Sequence, residues 1–183
     1  MDDIHVRNQI RNSYRRKTLT AVAAAALSPS RSPADDMRLI SLLRDPDPGI
    51  RIGAIKSLTQ IRGTKAINAI THAVNDPSCD VRIAACQALG KLRAHPAKSV
   101  LYDTLSDSAP MVCCSAAEAL GLMGDHMGLE HVKKLVMLKG PHQRDALRCL
   151  NLLTGKMFRL NELGVQRAIA WIKPKKRRFF TLK

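Results

Sequence analysis

Apolar residues recur along the chain at spacings of four, four and three, as at Ile50, Ala54, Leu58 and Ile61, which paints one stripe down one face of an α-helix. Thirty-one residues on, the stripe returns as Val81, Ala85, Leu89 and Leu92, and then again as Val112, Ala116, Leu120 and Met123. One period back lie Leu19, Ala23 and Leu27, and thirty residues beyond the third copy lie Ala146, Leu150 and Leu153, a slip that one deletion explains. A second stripe precedes the first in every unit: Leu39, Ile70, Leu101 and Val132, with Leu43, Val74, Leu105 and Val136. Each unit therefore predicts a pair of helices that bury their stripes against the neighbouring pairs.

Polar punctuation keeps the same phase. Asp45-Pro46-Asp47-Pro48-Gly49, Asp76-Pro77-Ser78 and Asp107-Ser108-Ala109-Pro110 stand before the second helices, where aspartate caps and proline starts a helix. Gly63, Gly90, Gly124 and Gly155 are expected where second helices end or bend, in the left-handed conformation such ends require. Aromatic residues make up only 3% of the chain, so the core must come from Ala, Leu, Ile and Val, with Ala54, Ala85 and Ala116 at the closest helix contacts. The 45% apolar and 25% charged residues fit a globular chain, and no apolar run approaches the roughly 20 residues of a membrane span.

The pattern Asp-x-Asp/Ser-x-x-Val/Ile-Arg-x-x-Ala-x-x-Ala/Ser-Leu, at Asp76 to Leu89 and more loosely at Asp45 to Leu58, resembles HEAT repeats. In its short period it looks most like the HEAT-like repeats first named for phycobilisome lyases. The resemblance covers residues from about 14 to 155 and implies an all-α, right-handed α-solenoid of about five helical pairs. The expected organisation is an N-terminal cap or partial repeat over 1–34, repeats over 35–155, a capping helix over 156–173 and a basic tail over 174–183. Phe158 and Trp171, the only tryptophan, are assigned to the cap.

Arg51 and Arg82 each follow a turn aspartate by about six residues, within reach of their own loop or the next. The resemblance implies that they form a ladder of Asp and Arg stapling adjacent units. Cys113 replaces the third arginine, so the ladder should break there and leave a weak joint.

Catalytic signatures are sparse. Deoxyhypusine hydroxylase resembles this chain in unit length, and its iron is held by His-Glu pairs at the start of second helices; here those places read Arg51-Ile52, Arg82-Ile83 and Cys113-Cys114. Glu130-His131 with His126 makes one cluster, too little for two metals. His5, His72, His95, His126, His131 and His142 share no repeat register, and the glycines form no phosphate-binding loop. The five cysteines, Cys79, Cys86, Cys113, Cys114 and Cys149, include no C-x-x-C pair and read as reduced thiols, with Cys79 in a turn. The chain is thus expected to be a cytoplasmic, non-catalytic protein with no metal or cofactor. The lyase or hydroxylase alternative would need a partner or metal that these residues do not supply.

In this fold the second helices line a concave face. At 100° per residue, Lys56 and Gln60 lie opposite the core stripe, followed at the same phase by Gln87 with Lys91, Glu118 with Leu122, and Arg148 with Leu152. This mixed surface suits a protein partner. The net charge of +15 invites acidic partners too. Divided along the chain it is +3 over residues 1–35, +6 over 36–172 and +6 over 173–183. The tail, with Lys175, Lys176, Arg177 and Arg178 before Phe179 and Phe180, suits nucleic acid, as in HEAT-fold DNA glycosylases that grip phosphates, or an anionic membrane surface. Arg7, Arg11, Arg15, Arg16 and Lys17 put positive charge near the other end. Arg15, Arg16 and Lys17 also precede an Ala-rich stretch in the manner of a twin-arginine export signal. That stretch is short and keeps the repeat register, which favours a partial repeat.

Overall fold

A computed structural model describes residues 32–138 and 143–173, together with Ser13, Lys17 and Thr20, which are helical. The copy of the stripe at Leu19, Ala23 and Leu27, the N-terminal arginines, His5, His142 and the tail with Lys175, Lys176, Arg177 and Arg178 lie outside the described residues. Every regular element within them is a helix, and they come in pairs: α1 (Pro33–Ser41) with α2 (Pro48–Ile61), α3 (Thr64–Ala73) with α4 (Cys79–Lys91), α5 (Lys98–Thr104) with α6 (Pro110–Leu122), and α7 (Met127–Met137) with α8 (Gln143–Thr154), followed by α9 (Glu162–Ile172). The described residues thus hold four of the five expected pairs and a closing helix, in an all-α solenoid. The first pair begins at Pro33, just inside the segment assigned to the cap, and the closing helix is shorter than the 156–173 span assigned to it.

Local chemistry starts these helices. Ser32 caps α1 with a reciprocal capping box to Asp35, ahead of Pro33, and Asp47 caps α2 by accepting the Gly49 N–H at 2.8 Å. Asp45, Asp76 and Asp107 do something different from capping: each accepts the N–H two residues on, from Asp47, Ser78 and Ala109 at 2.9, 2.8 and 2.8 Å, folding an Asx turn. Cys79 opens α4 rather than lying in the turn before it.

The chain divides into two compact units, Met1–Gly128 and Leu129–Lys183. In the first, α2, α4 and α6 pack in succession. Both stripes are inside: Ile50, Ala54, Leu58, Val81, Ala85, Leu89, Val112, Ala116, Leu120, Leu39, Ile70 and Leu101 are all buried. At about 25 cal/mol per Å² of apolar surface removed from water, this aliphatic stack supplies the main drive to fold. The alanines are fully buried as expected, but an especially close backbone approach falls elsewhere, at Gly90, where an added Cβ would stand 2.8 Å from the Ala119 Cα. Gly90 is therefore a packing residue inside α4 and does not end that helix.

Helix ends follow their own thirty-one-residue register. Arg62, Arg93, Gly124 and Gly155 all have positive φ, at 57°, 47°, 76° and 66°. Gly63 instead has φ −82° and caps the start of α3. The expectation of left-handed glycines holds at Gly124 and Gly155; at the two earlier ends the residue is an arginine.

The ladder is present. Arg51 donates from Nε and one terminal nitrogen to both oxygens of Asp76, at 2.8 and 2.7 Å, and from the other nitrogen to the carbonyls of Asp45 and Pro46. Arg82 repeats this on Asp107, at 2.8 Å twice, and on the carbonyls of Asp76 and Pro77. Both guanidinium forks are bidentate, the strongest such geometry. Burial pushes the Asp107 carboxyl upward, but the Arg82 fork and charge and the Ala109 N–H outweigh it and hold its pKa below the ordinary value. Cys113 keeps only the local half of the motif, its thiol donating to the Asp107 carbonyl at 3.1 Å. Leu138 stands thirty-one residues beyond Asp107, so that step has neither fork nor carboxylate.

In the second unit, α9 packs on α8. Asn151 clamps the intervening loop, donating to the Phe158 carbonyl at 2.8 Å and accepting its N–H at 3.1 Å. Asn161 caps α9 through the Gly164 N–H at 2.9 Å. Phe158 and Trp171 meet, with ring centroids 6.0 Å apart.

Candidate binding groove

Small residues on the second helices open space between them. Ala84 and Ala88 of α4, with Ile55 of α2, floor a cavity of about 360 Å³ walled by Lys56, Thr59, Gln60, Gln87 and Lys91. A second cavity of about 250 Å³ continues between α4 and α6, with Ser115, Glu118, Ala119 and Leu122 joining the same Gln87 and Lys91. The two shared side chains make one groove across three helices. The structure thus gathers Lys56, Gln60, Gln87, Lys91 and Glu118, all exposed. Arg148 is exposed on α8 in the second unit.

Two wall residues that helical phase alone does not single out have their hydroxyls turned away. Thr59 Oγ1 donates to the Ile55 carbonyl at 2.7 Å and Ser115 Oγ to that of Met111 at 3.0 Å, bonds that satisfy them within their own helices. Lys56, Lys91, Gln60, Gln87 and Glu118 are left as the groove's polar groups, with Leu122 its large exposed apolar one. A separate cavity of about 250 Å³ lies between α1 and α3, beside Arg44 and His72; its Asp76 is already held by Arg51.

A polar cluster that sequence spacing does not reveal joins α5 to the loop before α7. Asp125 accepts from Tyr102 Oη at 2.5 Å and Lys98 Nζ at 3.0 Å, and its other oxygen accepts the Met127 N–H at 3.1 Å. The Tyr102 and Lys98 bonds, with that N–H, hold the Asp125 pKa down at about 2. Both of its oxygens accept from donors inside the fold, so the cluster is a brace.

Cys86 and Cys113 are poorly suited to nucleophilic work. Desolvation pushes Cys86 up to about 12 and Cys113 up to about 11, away from the depressed values a reactive thiolate needs. Among the described residues no three His, Cys, Asp or Glu side chains stand together as metal ligands would. Glu130 instead accepts from Lys133 at 2.6 Å. No helix among the described residues is long and apolar enough to cross a membrane.

Residues 69–151 match the family model of HEAT repeats. No curated protein matches the chain at a significant level. Among solved structures, one from work on TOG-tubulin binding specificity in microtubule dynamics and mitotic spindle formation aligns with 88% of this chain and 77% of its own, at a TM-score of 0.51 and 15% identity. At that identity the likeness is one of fold. The repeat match over residues 69–151 and the fold likeness agree with the all-α solenoid of the described residues.

Proposed function

We propose that the protein is a non-catalytic scaffold that holds a partner protein in the groove across α2, α4 and α6, and that it does so in the cytoplasm. The observation that carries this reading is the continuity of the groove: two cavities joined through Gln87 and Lys91, with an apolar floor and separately placed polar side chains. An apolar base with a few polar contacts is the composition of a specific protein interface. Lys56 and Lys91 against the single carboxylate of Glu118 favour an acidic segment. The period of thirty-one residues supports the short, phycobilisome-lyase-type class of HEAT-like repeat. The absence of any C-x-x-C pair among the five cysteines, an odd number, supports a reducing compartment. The raised thiol pKa values of Cys86 and Cys113 support binding over covalent catalysis.

The test is capture by immobilised wild-type protein, by the double variant Lys56→Glu/Lys91→Glu, and by Lys65→Glu on α3 as control. Tubulin, the partner named for the TOG structure, serves as one defined probe beside cell extract. The expected result is a partner retained by wild type and control and lost from the double variant. Retention by all three would contradict the groove.

A further inference from the structure

The division into two units changes the meaning of the charge. Leu129–Lys183 holds fourteen Lys and Arg against three Asp and Glu, a net +11 out of the chain's +15, while Met1–Gly128 holds sixteen against twelve. The second unit is thus a strongly cationic body, and the excess is not confined to its tail.

Its surface also exposes apolar side chains. Trp171 is 41% exposed, Leu163 51% and Met157 91%. Lys156 Nζ lies 5.4 Å and Lys133 Nζ 6.0 Å from the Trp171 ring centroid, on a ring backed by Phe158. Lys133 is already paired with Glu130; among the described residues no carboxylate pairs with Lys156. We infer that this face of the C-terminal unit binds an anionic lipid surface, with Trp171 and Met157 entering the headgroup boundary and Lys156 and its basic neighbours facing the lipid phosphates.

Charge complementarity points to an anionic partner, and the aliphatic side chains choose among anionic partners. Met157 and Leu163 have nothing to gain from a phosphodiester backbone. At a bilayer they gain the burial that water denies them, and a tryptophan ring prefers that interface. The arrangement of cations beside a small apolar wedge is the two-signal form that peripheral attachment requires, since neither signal suffices alone. Lys173, at the end of α9, leads directly in sequence into Lys175, Lys176, Arg177, Arg178, Phe179 and Phe180, a composition that repeats the same pairing of cations with apolar rings.

Trp171 is the chain's only tryptophan, so its emission reports on this face alone. Full-length protein is titrated with vesicles of phosphatidylcholine, with vesicles containing about one-third phosphatidylserine, and with mixed-sequence duplex DNA. The expected result is a blue shift with the anionic vesicles only, quenched by brominated acyl chains, and affinity reduced roughly tenfold or more in Lys156→Glu/Met157→Glu. Both substituted positions are exposed, and an unchanged helical circular dichroism spectrum verifies that the variant is folded. No shift with anionic vesicles would overturn the inference. So would vesicle binding that leaves Trp171 emission unchanged, or a Trp171 response to duplex DNA in place of vesicles.

Discussion

Arginine is an unexpected residue at the left-handed end of a helix, yet Arg62 and Arg93 occupy the positions that Gly124 and Gly155 fill two periods later. A side chain in this conformation costs about 1–2 kcal/mol, partly recovered because arginine loses less backbone entropy on folding than glycine. Arg62→Gly and Arg93→Gly should each stabilise the protein by about 0.5–1 kcal/mol. A higher urea midpoint at unchanged slope would verify this; a fall would mean that these arginines make compensating contacts. Asp125 gives a second expectation. Its folded pKa of about 2 lies below the unfolded value of about 3.9, so its stabilising effect is complete above the unfolded value and disappears as pH falls toward the folded one. Asp125→Asn should lower the urea midpoint at neutral pH, with the deficit closing on acidification through that window. A deficit independent of pH would show that the brace does not depend on the carboxylate charge.

At the scale of elements, the spacing of small residues decides how closely helices approach. Gly90→Ala gains helix propensity but drives a Cβ to 2.8 Å from the Ala119 backbone and 3.0 Å from its Cβ. Overpacking should win, for a net loss of roughly 1–2 kcal/mol. Gly121→Ala makes a matched control, since a Cβ there meets nothing within 4 Å, and it should stabilise by up to about 1 kcal/mol. Equal effects from the two, measured by urea denaturation, would contradict the packing described for α4 and α6. The stripes that built these helices could be read from sequence because burial imposes a helical period on residue type, and Lys56, Gln60, Gln87, Lys91 and Glu118 could be placed on the groove because exposure follows the same angle. The true helix ends could not, because arginine carries no signal for positive φ while a nearby glycine does. The Asp125 brace was invisible for another reason: Lys98 and Tyr102 reach it only through folding, across more than twenty residues of chain.

For the whole molecule, the two units carry different surfaces. The first is near charge balance and contains the groove; the second concentrates the positive charge. Composition along the sequence isolates the tail and not this asymmetry, because the cations from Lys133 to Lys173 are spaced along the segment with nothing local to mark a boundary. The proposed function requires protein recognition by the groove, and site-specific photocrosslinking tests it. A photoreactive residue at Gln87, shared by both cavities, is compared with one at Asn68, exposed on the first helix of the same pair. The expected result is a discrete crosslinked partner from position 87, lost when Lys56 and Lys91 are reversed to glutamate, and none from position 68. A partner captured from position 68 and not from 87, or a crosslink at 87 indifferent to those reversals, would contradict it.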